Sequence, residues 1–137
     1  MFDAIGIALS GTTAETRRME ASASNIANLR SRGALPGSDA TGPKPYEPLT
    51  TSQSDVRTAD GGGSGTRAAY RPLNRPFVPE YDPGAAEADS QGMVGTPDVD
   101  VSQEMTQQIL AKNAYKANLA VMKTSDEMTR SLLDATA

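Results

Sequence analysis

Three carboxylates near the start of a predicted C-terminal helix are the residues whose spacing most suggests chemistry. Asp98, Asp100 and Glu104 lie close together in the sequence, and clustered carboxylates can bind a divalent cation or act as catalytic acid and base. The chain contains no histidine and no cysteine, so the commonest general base and the commonest zinc ligands are absent. A metal site or an enzyme is therefore the remote interpretation of this cluster.

Helix capping explains the same residues more economically. Asp100 can accept hydrogen bonds from the first free amides of a helix, and Gln103 occupies the reciprocal capping-box position. Asp98 and Glu104 complement the positive end of the helix dipole. We predict helix caps at these four residues and no catalytic, cofactor-binding or metal-binding residue.

Two helices, one at each end of the chain, are predicted to position these groups. Residues recur in steps of three and four, which is typical of a heptad pattern. In the N-terminal helix they are Phe2, Ile5, Leu9, Thr12, Thr16, Met19, Ala23 and Ile26. In the C-terminal helix they are Leu110, Ala114, Ala117, Val121, Thr124, Met128 and Leu132. The predicted fold class is mainly α, with the two long helices paired as a coiled coil.

The middle of the chain is rich in glycine and proline. We predict three parts: an N-terminal helix over 1–30, an irregular or short-strand outer segment over 31–97, and a C-terminal helix over 98–137. Proline restricts any strand in the middle to a sheet edge. The Gly-rich loop 60–65 is either a hairpin tip or a mobile connection.

A second apolar row on the C-terminal helix indicates association with other chains. Its members are Met105, Ile109, Tyr115, Leu119 and Met122. A two-helix hairpin buries only one stripe of each helix, so this row has no partner inside a chain of 137 residues. The net charge of −4 comes from mixed acidic and basic residues, which argues against nucleic acid as a partner. No apolar run is long enough for a transmembrane segment.

Several short motifs resemble the bacterial flagellar rod and hook proteins. They are residues 23–28 (Ala-Ser-Asn-Ile-Ala-Asn), 92–94 (Gly-Met-Val), 97–100 (Pro-Asp-Val-Asp), 104–105 (Glu-Met) and 111–119 (Ala-Lys-Asn-Ala-Tyr-Lys-Ala-Asn-Leu). Weaker matches lie between them, such as residues 43–46 (Pro-Lys-Pro-Tyr). The short length and the lack of a large inserted domain are most similar to the proximal rod members of that family.

The resemblance implies a structural subunit of the flagellar basal-body rod, which lies in the periplasm. The terminal helices of such a subunit would assemble with copies of itself and with other rod proteins. It also implies delivery by the flagellar type III export apparatus without a cleaved signal peptide. Asp3, Glu15 and Arg17 indeed fit a secretory signal poorly. The alternatives are another rod or hook axial protein and a cytoplasmic helical-hairpin adaptor that binds an amphipathic helix.

The predicted assembly interface combines apolar residues of both helices with asparagines from the motifs. Its members are Ile5, Leu9, Met19, Asn25, Ile26, Asn28, Met105, Ile109, Leu110, Tyr115, Asn118, Leu119, Val121 and Met122. Asn25 and Asn118 are predicted to fix the register between helices, since a misaligned amide loses its hydrogen bonds. For Asn28, a helix-ending role is equally open, and Tyr115 can pack either between chains or within one hairpin.

Overall fold

The computed structural model describes residues 2–136. Two helices, α1 (Phe2–Ala27) and α2 (Val101–Thr136), enclose four strands in the sequence. The strands are β1 (Leu49–Arg57), β2 (Gly63–Pro72), β3 (Phe77–Tyr81) and β4 (Met93–Pro97). The two terminal helices are present where the sequence predicts them, and α2 is about 54 Å long at ~1.5 Å per residue.

The predicted fold class is wrong, because the structure is not mainly a helical coiled coil. It has 46% helix and 22% strand, with two small antiparallel sheets between the helices. β1 and β2 are mostly exposed on both faces, so their sequences show no alternation of apolar and polar residues. Three prolines lie at strand boundaries, since Pro48 precedes β1 and Pro72 and Pro97 end β2 and β4, whereas Pro79 lies within β3.

The chain forms two compact units, one built from three separate segments and the other from two. Unit 1 comprises Met1–Met19, Thr51–Ala69 and Gln107–Ala137. Unit 2 comprises Glu20–Thr50 and Tyr70–Thr106. The first segment runs from the end of α1 to the start of β1, and the second runs from the end of β2 to the first turns of α2.

In unit 1, strands β1 and β2 form a two-stranded sheet whose turn is made by residues 58–62. The Thr58 amide donates to the Gly62 carbonyl at 2.9 Å, and Gly61 adopts a φ of 82° that favours glycine. Residues 63–65 of the Gly-rich segment therefore belong to β2. The buried apolar residues of this unit are all small: Ala8, Ala14, Ala68 and Ala111.

In unit 2, β3 and β4 pair antiparallel, with Phe77 opposite Pro97 and Tyr81 opposite Met93. On the other side of β4, Gly95 forms an isolated bridge with Gly33 through two hydrogen bonds of 2.9 and 3.0 Å. A side chain at Gly95 would collide with Pro45, so glycine permits this close approach. The bridge ties the segment after α1 to the small sheet.

Candidate assembly site

Asn25 is the best-connected polar side chain of unit 2. It is 1% exposed. Its Nδ2 donates to the Leu49 carbonyl at 2.8 Å and to Glu104 Oε1 at 2.6 Å, and its Oδ1 accepts from the Leu49 amide at 2.8 Å and the Tyr46 hydroxyl at 3.1 Å. All four hydrogen-bonding positions of the amide are thereby used. Asn25 connects α1 to both the 46–49 segment and α2.

Neighbouring residues extend this network along the end of α1. Ser24 Oγ lies 2.8 Å from the Tyr46 hydroxyl, and Ser22 Oγ donates to the Glu104 carbonyl at 3.1 Å. Asn28 Nδ2 donates to the Ser24 carbonyl at 2.9 Å and so closes the last turn of the helix. Residues from three separate motifs, 23–28, 43–46 and 104–105, thus meet in one place.

The first turn of α2 is capped by Asp100. Its Oδ1 accepts from the amides of Ser102 and Gln103 at 2.8 and 3.2 Å. Asp98 is exposed at the approach to the helix, and the Glu104 carboxylate is held by Asn25. Within residues 2–136 no group of three or more acidic side chains is arranged to hold a metal ion.

In unit 1, α1 and α2 pack through small and polar side chains. The Gly11 position faces Asn118 so closely that an added Cβ would lie 2.7 Å from Asn118 Nδ2. Arg18 donates to Gln107 at 3.0 Å and also pairs with the buried Glu15 carboxylate at 3.0 Å. Rising residue numbers on α1 meet falling numbers on α2, so the two helices run antiparallel.

Some of the shielded side chains on the two helices lie outside the predicted interface. On α2 the shielded positions recur at heptad spacing: Glu104, Gln108, Ala111, Tyr115, Asn118, Met122 and Ser125. On α1 they are Ile5, Ala8, Thr12, Glu15, Met19, Ser22 and Ile26. Of these, Ala8, Thr12, Glu15, Ser22, Glu104, Gln108, Ala111 and Ser125 are absent from the predicted interface. The sequence feature that could have indicated these contacts is Gly11, because a glycine in the middle of a helix allows another helix to approach closely.

The predicted interface residues fall into three groups by exposure. Asn25 is buried. Half-buried residues are Ile5, Met19, Ile26, Asn28, Tyr115, Asn118 and Met122. Exposed residues are Leu9, Met105, Ile109, Leu110, Leu119 and Val121. The exposed fraction reaches 59% at Ile109 and 52% at Leu110, so these side chains are available for contacts with another chain.

One carboxyl with a shifted pKa, that of Asp39, lies away from the helices. The backbone amide and side chain of Ser90 hydrogen-bond to Asp39 and hold the pKa of that carboxyl below its ordinary value. Asp39 is fully exposed, and its bond to Ser90 connects two loops of unit 2. It is a structural contact rather than a site for proton transfer.

The two terminal helices run antiparallel, shield small polar groups and expose large apolar ones, which is the arrangement expected of a structural protein. Across residues 2–136, neither helix combines the length and apolar character that a bilayer span requires.

Comparison with known proteins identifies the family. The family described as flagellar basal body rod FlgEFG protein C-terminal matches residues 90–135. Flagellar basal-body rod protein FlgC of Agrobacterium fabrum is 35% identical over 93% of this chain and 89% of the relative. The FlgC proteins of Salmonella typhimurium and Aquifex aeolicus are 33% and 30% identical, over 93% and 98% of this chain and 90% and 96% of the relatives. The chain belongs to the FlgC family of flagellar basal-body rod proteins.

This result confirms the resemblance to rod and hook proteins inferred from the motifs. The family is a structural component of the flagellar rod, and this places the chain among the proteins of the basal body.

Proposed function

We propose that this chain is a structural subunit of the proximal rod, which assembles through its terminal helices with copies of itself and with other rod proteins. The observation that carries the proposal is the distribution of side chains on α2. Ala111 is fully buried against its surroundings, whereas Leu110 and Met128 are more than half exposed. Burial of the exposed half of such side chains between chains would contribute about half of the ~1.5–3 kcal/mol that complete burial gives.

The proposed interface consists of the exposed apolar residues of both helices together with the half-buried ones beside them. Leu110 and Val121 lie on one flank of α2, and Ile109 and Leu119 lie on the other. Because both flanks carry apolar groups, one subunit can contact two neighbours at once. In the assembly, 1–30 and 98–137 would form an inner helical layer and 31–97 an outer one.

We further propose that the chain reaches the rod through the flagellar type III export apparatus and without a cleaved signal. The charged residues Asp3, Glu15 and Arg17 support this route, because a secretory signal needs a basic start and an uninterrupted apolar stretch. The small, polar contact between the helices supports it as well, since such a contact resists unfolding weakly.

The test is to purify basal bodies and to identify their subunits by mass spectrometry in wild-type cells and in a strain carrying Leu119→Asp. We expect the chain in wild-type basal bodies, and loss of rod assembly and motility in the variant, because a carboxylate would be buried unpaired in the interface. Asn113→Asp introduces the same charge at an exposed polar position of α2 and should leave motility intact.

Each result separates the possibilities. Normal motility with Leu119→Asp would remove this flank from the interface. Absence of the chain from otherwise complete basal bodies would contradict the rod role and favour the cytoplasmic adaptor.

A further inference from the structure

The last turns of α2 extend beyond the beginning of α1. In unit 1 the antiparallel helices are aligned with Gly11 against Asn118 and Arg18 against Gln107. Both helices rise about 1.5 Å per residue, so Phe2 lies level with about residue 127. No described part of α1 therefore lies beside residues 128–136 of α2. We call these residues the α2 overhang.

The α2 overhang is apolar and carries a negative end. Met128, Leu132 and Leu133 are 54%, 57% and 64% exposed, and Leu133 is the most exposed large aliphatic side chain of the described chain. The last turn of α2 contains no basic residue, and the acidic Asp134 lies near the C-terminal end of the helix. A carboxylate near the negative end of the helix dipole is unfavourable unless a cation approaches it.

A groove in unit 1 offers the complementary surface. It has a volume of about 310 Å³ and lies between α1 and β2. Small side chains line it, including Gly6, Ser10, Ala14 and Ala68. Such a groove admits large aliphatic side chains from a neighbouring helix.

The lining of this groove includes two basic residues. Arg17 lines it and donates a hydrogen bond to the Ala68 carbonyl. Arg67 also lines it, is exposed, and forms no ion pair with any residue in 2–136. The groove therefore supplies the positive charge that the end of α2 lacks.

The α2 overhang cannot enter the groove of its own chain. The groove is formed by residues 6–17 of α1, which lie level with about residues 112–123 of α2 at ~1.5 Å per residue. The overhang begins beyond that level and continues away from it along a helix with no break before Thr136. The occupant of the groove must therefore come from another molecule. A second copy of this chain carries a matching segment, its own α2 overhang.

We propose that the α2 overhang of one copy docks in the α1–β2 groove of a second copy, with Leu132 and Leu133 against the small residues and the acidic end near Arg67. The two surfaces lie at different places on the molecule, so the contact is head-to-tail, and it continues as an open helical array wherever the rotation between copies does not close a ring. This inference rests on the proposed rod function, because an open, repeating contact builds a helical tube.

The absence of cysteine from the chain permits a direct test by cross-linking. Cells would express the full-length chain with Thr13→Cys in the groove and Leu132→Cys in the overhang, and basal bodies would be isolated after mild oxidation. We expect a ladder of cross-linked species, each step heavier by the 14.3 kDa of one chain. Leu132→Cys combined with Lys44→Cys, an exposed loop position in unit 2, should give no ladder.

The outcomes distinguish this proposal from the rod function itself. Basal bodies that contain the doubly substituted chain without cross-links, or with cross-links to a different protein only, would overturn the docking contact and leave the rod role intact. If the basal bodies of motile cells lack this chain, both the docking contact and the rod function would be overturned. Arg67→Glu gives a second measurement: it should reduce the ladder several-fold, and an unchanged ladder would contradict the electrostatic part.

Discussion

Gly65 is predicted to be the glycine of β2 that tolerates a side chain least. Its φ of +108° lies in the region that favours glycine. A Cβ there would lie 2.1 Å from Ser10 Oγ and 3.0 Å from Ser10 Cβ. The Ser10 hydroxyl also accepts a hydrogen bond from the Thr66 amide at 3.0 Å, so the substitution removes this contact between α1 and β2 as well.

The expected cost of Gly65→Ala follows from these two effects. Backbone strain of this kind costs about 1–3 kcal/mol, and the loss of one hydrogen bond adds about 0.5–1.5 kcal/mol. We expect a decrease of about 2–4 kcal/mol in the free energy of unfolding. Urea denaturation followed by circular dichroism measures it, in a stabilising osmolyte that keeps the weak helix contact formed.

Two companion variants test the reasoning. Gly63→Ala lies in the same strand, has no positive φ and meets no atom within 4 Å, so it should change stability by less than about 0.5 kcal/mol. In a Ser10→Ala background, the cost of Gly65→Ala should fall by about 1 kcal/mol because the colliding oxygen is gone. Equal costs for Gly63→Ala and Gly65→Ala would refute the assignment of strain, and an unchanged cost in the Ser10→Ala background would refute the steric part.

Two further predictions concern α1. Asn25→Ala should lower the free energy of unfolding by about 2–4 kcal/mol, because several buried partners lose their hydrogen bonds; urea denaturation checks this against the exposed Asn113→Ala, and equal effects would contradict the buried network. Gly6→Ala should raise the melting temperature, since alanine favours helix by about 1 kcal/mol and meets open space there. Gly11→Ala should lack this gain because of the close contact with α2, and an equal rise in melting temperature would contradict that contact.

The positions of the helices were predictable because local signals mark them. Asp100 directly precedes α2 and caps it, and Pro97 ends the preceding strand. Asn28 lies one residue beyond α1 and closes its last turn. These signals act over three or four residues, and no tertiary contact is needed to interpret them.

The contact faces of the helices were not predictable from apolar periodicity. The pattern selected Leu9 and Leu110, which are exposed, and omitted Ala8 and Glu15, which are buried. Periodicity identifies a surface that avoids water, but it does not say whether the partner belongs to the same chain or to another. Short strands were expected in the middle segment, but their pairing into two sheets was not predictable for a related reason: β1 and β2 are held by backbone pairing and by Ser10 and Arg17 of α1 rather than by an apolar face.

The motifs that identify the family and the residues proposed to join subunits have different physical roles. Asn25, Tyr46 and Glu104 belong to motifs, and they hydrogen-bond to one another within one chain. Leu110 and Val121 flank the motif at 111–119 and face outward. A buried amide with four hydrogen bonds tolerates no other side chain, whereas an exposed apolar position needs only a side chain of similar size and polarity. Such motifs therefore reflect the fold of the subunit. Its contacts with other subunits depend instead on the exposed apolar residues that lie between the motifs.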